Sequence, residues 1–118
     1  MLKVAVATVG GMTNSEVPAL FEEATHLLLM DGDTGTLMQV FCAEVRTDDG
    51  HNAGEQFADT VVKWDCEALL CGELEAEPFS ILAEKNSVTR YMAAGLTASE
   101  AIQKMNRYEL YFLDEPIS

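Results

Sequence analysis

Four consecutive apolar residues, Ala68-Leu69-Leu70-Cys71, stand between the charged Glu67 and a glycine, Gly72. A strand with one face in water alternates polar and apolar positions, and an unbroken run has no residue to offer to water. The segment is therefore expected as a central strand with helices on both sides. Gly72 permits a sharp exit, and residues 73–78 open a helix. Strand, turn and helix start in that order place the strand's C-terminal end at the crevice where open α/β sheets bind ligands. Residues 2–8 are nearly all apolar as well and suit a second position at the sheet centre.

The remaining elements follow from turn and capping signals. Residues 9–15 form a turn-rich loop, but Gly10-Gly11 lacks the GxGxxG spacing and no GxxxxGK[ST] occurs, which excludes dinucleotide and P-loop sites on sequence grounds. A short helix is expected over 16–23, with Pro18 near its start, where a missing N–H does no harm. A hairpin of residues 25–30 and 36–45 turns through Asp31-Gly32-Asp33-Thr34-Gly35. Asn52 and Glu55 make a capping box for a helix whose apolar stripe is Phe57, Ala58, Val61 and Trp64. A helix over 75–84 buries Phe79, Leu82 and Ala83, Asn86 stops it, and 87–92 is the last clear strand. Thr97 with Glu100 caps a final helix that buries Ala98, Ala101, Ile102 and Met105. Residues 108–113 are greasy for a tail and are expected to dock on the body or on another subunit. Parallel crossovers need helices and are right-handed. The expected fold is therefore α/β, a five-stranded mixed sheet with one antiparallel strand and helices on both faces.

A chain of 118 residues is sized for one core. Its apolar runs are far too short for a bilayer crossing. Three cysteines, an odd count, argue against a secreted disulfide framework, and the opening residues lack a signal-peptide layout. Both point to a cytoplasmic protein. Seven basic against 20 acidic residues give a net charge of −13, which repels phosphate backbones and anionic membranes. Neither nucleic acid nor membrane is expected as a partner.

Chemistry-bearing residues are few. Cys42, Cys66 and Cys71 form no CxxC, and no HxxxH or HExxH supplies partners. The five-residue offset between Cys66 and Cys71 predicts opposite faces of a strand. Buried cysteines commonly serve as small hydrophobes, but Cys71 ends the focal strand beside Gly72 at the expected crevice. His51 can ligate a metal, but capping the helix or plain exposure is the simpler reading, and His26 reads as a strand-edge residue. Glu73, Glu75 and Glu77 crowd a helix start; several converging oxygens suit a hard cation, but the positive helix end favours acids in any case and is the preferred explanation. No catalytic constellation is recognisable, and the chain is read as a non-enzyme.

Several blocks in order carry a resemblance: residues 2–8, 19–24 and 30–35, then Trp64-Asp65-Cys66-Glu67-Ala68-Leu69-Leu70-Cys71-Gly72, Phe79, 87–91 and 97–102. Together they resemble the dinitrogenase iron–molybdenum cofactor biosynthesis family, the NifX-like domain also found at the end of NifB-type proteins. The resemblance covers about residues 2–110, so the reading takes 1–110 as the domain and 111–118 as a C-terminal tail. It implies a ribonuclease-H-like fold and a non-catalytic role, the binding or carrying of an iron–sulfur or molybdenum-containing cluster with cofactor-assembly proteins as partners. The cofactor-contacting residues would be Cys71, Gly72, Gly10 and Gly11, with Cys71 and His51 as metal ligands. Where the family carries Ser-x-His-Phe-Gly, this chain reads Pro18-Ala19-Leu20-Phe21-Glu22. Leucine cannot ligate a metal, and Glu22 brings negative charge towards a site for an anionic cluster. The second reading is therefore an interaction or regulatory module on the same scaffold with a degraded cluster site, whose acidic surface and apolar tail would bind a protein partner or build a homo-oligomer.

Overall fold

Every residue of Ala68–Cys71 is buried, and so is every residue of Lys3–Thr8 after the half-buried Lys3. The computed structural model describes residues 2–42, 53–84 and 88–116. In chain order the strands are β1 (Lys3–Thr8), β2 (His26–Asp31), β3 (Leu37–Cys42), β4 (Ala68–Cys71), β5 (Thr89–Met92) and β6 (Tyr111–Phe112). The helices are α1 (Ala53–Lys63), α2 (Ala76–Ala83) and α3 (Ala98–Asn106). The sheet order is β3-β2-β1-β4-β5-β6, so the two unbroken apolar segments are its central strands. They pair in parallel, Val4 with Ala68 and Val6 with Leu70.

Strand periodicity divides the core into two layers. Ala5, Ala7, Leu27, Leu29, Leu69 and Cys71 face α1 and α2 and pack with Phe57, Ala58, Val61, Leu74 and Leu82. Phe57 sits at the middle of this layer, edge-on to both Phe21 and Phe41 with ring centroids 6.0 Å apart. Val4, Val6, Leu28, Met30, Ala68 and Leu70 face the other way onto Ala98, Ala101, Ile102 and Met105 of α3. Each fully buried Leu, Val or Phe contributes about 1.5–3 kcal/mol relative to exposure, so these two layers dominate the stability.

Two expectations about the sheet are corrected. Among the described residues it has six strands, and two of them, β2 and β6, run antiparallel to their neighbours. The sixth strand comes from the tail. Tyr108 adopts a left-handed φ of 59° and turns the chain back along β5. Leu113 N–H then donates to the Arg90 carbonyl at 2.9 Å, and Arg90 Nε donates back to the Leu113 carbonyl at 3.2 Å. Two residues are too few to show period-two alternation, which is why a strand there is invisible to pattern reading. The short helix expected over 16–23 is also corrected: only Phe21–Glu23 forms a single 3-10 turn, and residues before it are extended.

The caps at Asn52 and Asn86 lie outside the described residues. No described helix is long and apolar enough to cross a membrane. The last helix starts as its sequence requires: Glu100 N–H donates to Thr97 Oγ1 at 3.2 Å, and Thr97 N–H donates to Glu100 Oε1 at 3.1 Å. These bonds hold the Glu100 carboxyl below its ordinary range. Replacing Thr97 by Ala removes the cap and is expected to cost about 1 kcal/mol. The urea midpoint should fall with an unchanged slope.

Candidate functional site

Parallel pairing sends β1 and β4 out of the sheet on the same rim, which brings the Gly10-Gly11 loop and Gly72 to one end of the molecule. The first loop is held from within. Thr8 Oγ1 donates to the Gly10 carbonyl at 2.8 Å, and Gly10 N–H donates to Thr25 Oγ1 at 3.1 Å. Gly10 has φ 120°, which side chains rarely adopt, and a Cβ there would meet Ser15 Oγ at 2.6 Å. Downstream in the same loop, the Ser15 and Thr13 carbonyls accept from Ala98 and Ser99 N–H at 3.0 and 2.9 Å. The orphan donors at the start of α3 are thereby taken by the protein's own backbone.

Residues 16–24 cross this rim as an extended strap. On the α3 side Glu16 bridges Val9 and Thr97, and Val17 exchanges bonds with the next connection: its N–H donates to the Leu96 carbonyl at 2.8 Å and its carbonyl accepts from Gly95 N–H at 2.9 Å. On the other side Leu20 bridges Glu73; Phe21 N–H donates to the Glu73 carbonyl at 2.8 Å and Glu73 N–H to the Ala19 carbonyl at 2.9 Å. Between these anchors the strap backbone lies directly on Gly72. A Cβ at Gly72 would fall on the Pro18 and Ala19 carbonyl oxygens and 2.6 Å from the Ala19 carbonyl carbon. Gly72 is required because another stretch of backbone occupies the space of a side chain.

Cys71 ends β4 beneath the strap and has no exposed surface. Its thiol lies in the layer of Phe21, Phe57 and Leu74, and burial pushes it well above the ordinary thiol range, against a smaller lowering by Arg90. A neutral thiol in apolar surroundings is inert, since the thiolate is the metal ligand. Cys66 is in the same layer, not on the opposite face, because it precedes the strand in a turn whose Asp65 has φ 56°. Burial pushes Cys66 up to about 12; Lys3 lowers it, and Asp65 and Glu67 raise it. Cys42 is exposed at the end of β3, paired across the ladder with His26. His26 is half-buried beside Gly11, its Nδ1 2.7 Å from Thr25 Oγ1. His51 lies outside the described residues. The structure thus brings Gly10, Gly11, Gly72 and Cys71 to one rim, but the strap separates the Gly10-Gly11 loop from Gly72 and covers Cys71. Among the described residues no group of three or more His, Cys, Asp or Glu could hold a metal ion.

One pair at the rim goes unseen in the sequence. Glu22 on the strap meets Glu75, the residue before α2. Partial burial first, then the hydrogen bond and charge of Glu75 and the charge of Glu23, push the Glu22 carboxyl from 4.5 up to about 7. Its Oε1 is sealed from solvent and accepts no hydrogen bond. The acidic crowding at 73–77 is visible in the sequence; its encounter with Glu22 depends on the path of the strap and has no local signal.

Gly72→Ala is expected to cost about 3 kcal/mol, the upper end for inserting one methyl into packed structure, because the obstacle is backbone and not a side chain that can rotate. Urea unfolding should show it, and a substitution that leaves the midpoint unchanged would mean that the strap does not lie on Gly72.

The chain's likeness to known proteins agrees with this architecture. A family model described as dinitrogenase iron–molybdenum cofactor matches residues 1–108. The apo form of the orange protein from Desulfovibrio gigas superposes with a TM-score of 0.84 at 21% identity, covering 100% of this chain and 98% of that one. A Thermotoga protein provisionally named NifB gives 0.79 at 24% identity, with 100% and 98% covered. A Methanocaldococcus jannaschii protein provisionally named a dinitrogenase gives 0.60 at 16% identity, with 98% and 100% covered. At such identities the likeness to these structures establishes the fold. No curated protein matches the chain. The family match spans nearly the whole sequence, and the chain belongs to the dinitrogenase iron–molybdenum cofactor family.

Proposed function

We propose that this protein is a small cytoplasmic, non-catalytic accessory domain of metallocofactor assembly that binds or carries an iron–sulfur or iron–molybdenum type cluster as cargo. The observation that carries the reading is the family match over residues 1–108. Support comes from the rim, where the Gly10-Gly11 loop and the Cys71-Gly72 end of β4 emerge from adjacent parallel strands. The ribonuclease-H-like fold assignment and the ligand roles of Cys71 and His51 are part of the same reading. The closed strap keeps Cys71 from any cargo, so Cys71 can serve only when residues 16–24 move. Its partners are proteins of cofactor assembly, not nucleic acid or membrane, given a net charge of −13.

A second reading is favoured by a specific observation. Leu20 stands where the resemblance expects a histidine, and here it bridges Glu73 and helps close the rim. On that reading the scaffold is an interaction module whose cluster site has been sealed. Its contact surface is the tail, where Tyr108 and Tyr111 are 95% and 83% exposed and Phe112 stacks on Tyr91 with centroids 5.2 Å apart.

Protein purified without oxygen and offered iron–sulfur or thiomolybdate species decides between them. The first reading expects stoichiometric metal and a visible charge-transfer band. A colourless protein that takes up no metal leaves only the second. Truncation after Leu110 removes β6 and should lower the solution mass if the tail builds a homo-oligomer; an unchanged mass removes that interface.

A further inference from the structure

The strap is fastened by unlike devices at its two ends. On the α3 side the fastening is backbone hydrogen bonding through Glu16 and Val17, which does not titrate. On the α2 side the backbone bonds between Phe21, Ala19 and Glu73 are joined by a carboxyl pair, Glu22 against Glu75. Two carboxylates cannot accept from each other, so the pair holds together only while one of them carries a proton. The charges that act on Glu22 among the described residues are those of Glu75 and Glu23, and both raise it. Glu23 adjoins on the strap, Glu73 on the connection below, and Glu77 in the first turn of α2. On α1, which packs against the same turn, Glu55 and Asp59 lie towards its start and middle, and the basic Lys63 in the last turn.

We propose that residues 16–24 form a proton-gated strap: a proton shared between Glu22 and Glu75 holds it down, and release of that proton to solvent lets its α2 end lift from Gly72 and Cys71. The turn at Phe21–Glu23 is the moving part, because Phe21 is the side chain it seats in the Cys71 layer. The inference rests on the cofactor-assembly reading for what would enter, but not for the motion itself.

The sign follows from proton linkage. Closed, Glu22 keeps its proton up to about pH 7; lifted, it returns to its ordinary 4.5. Between those values the closed state binds more protons than the open one, so raising the pH through this window favours opening. Solvent reaches part of the pair, which discounts the effect, and the opening constant is expected to rise about tenfold.

Alkylation of the intact wild-type protein with iodoacetamide, read cysteine by cysteine by mass spectrometry, tests this without any cluster. Cys66 is the control for global unfolding: it is buried in the same layer but lies at the other end of β4. A Cys66 rate well below that of Cys71 shows that opening of the strap, not global unfolding, is being read. The Cys71 rate in the wild type divided by that in Glu22→Gln at the same pH cancels the intrinsic rise of thiolate with pH. That quotient should climb about tenfold between about pH 5 and pH 8, because Gln at position 22 keeps a hydrogen bond without titrating. Should Glu22→Gln fail to fold, shown by rapid labelling of both cysteines, Glu75→Gln takes its place. A flat quotient, or Cys71 labelling no faster than Cys66, overturns the proposal. Failure to take up a cluster would leave it standing, so the two readings fail separately.

Discussion

The pairing of two fully buried parallel strands, β1 and β4, governs the rest of this molecule. Neither strand can tolerate a wet face, so both sides of the sheet must be covered, α1 and α2 on one and α3 on the other. Parallel neighbours cannot be joined by a tight turn. The chain must return across a face by a crossover, and β4 and β5 are joined by α2 for that reason. The same geometry delivers both strand ends to one rim, where backbone groups leave the sheet unpaired. What happens at that rim is therefore a question of how those groups are satisfied.

The answer is a strap of extended chain, and its energetics are finely poised. Its backbone bonds to Leu96, Gly95 and Glu73 each contribute on the order of 1 kcal/mol net, since water would otherwise serve the same groups. Ordering the strap's residues costs about as much per residue, so the closed state owes its margin to the apolar side chains it buries, Val17, Phe21 and the smaller Ala24. Val17 enters the layer towards α3, and Phe21 and Ala24 the layer towards α1 and α2. A carboxyl pair whose protonation changes the balance by about 1 kcal/mol is small beside the core but comparable with any single fastening of the strap. The absence of a side chain at Gly72 makes the closed state possible at all.

Much of this was legible in the residues, for reasons that separate local from long-range information. Ala68–Cys71 announced a central strand because an apolar run admits no other placement, and Thr97 with Glu100 announced a helix start because capping is a local event. The six-strand sheet was not legible, because β6 is two residues long and exists through its bonds to β5. Pro18 suggested a helix start, yet residues 16–20 are extended, held by partners in three other connections. The odd offset of Cys66 and Cys71 misled because period-two reasoning holds only inside a strand. Of the candidate site, the convergence of Gly10, Gly11, Cys71 and Gly72 on one rim followed from parallel topology. That a strap would lie between them did not, since Gly72 looks the same in sequence whether its open side faces solvent, ligand or backbone.

The strap also divides the rim electrostatically. On its α2 side stand Glu22, Glu23, Glu73, Glu75 and Glu77, and there burial, Glu75 and the charge of Glu23 hold a proton on Glu22 near neutrality. On its other side the Gly10-Gly11 loop adjoins Thr25, His26 and Val40, with Cys42 next along the ladder. An anionic species approaching the α2 side must overcome crowded carboxylates, each costing more as water is excluded. The Gly10-Gly11 side presents backbone, a hydroxyl and an imidazole instead, beside the exposed Met12. Glu22 thus has two consequences that a glycine at its position would lack: it makes one side of the rim hostile to anions, and it makes the fastening of the strap depend on a proton.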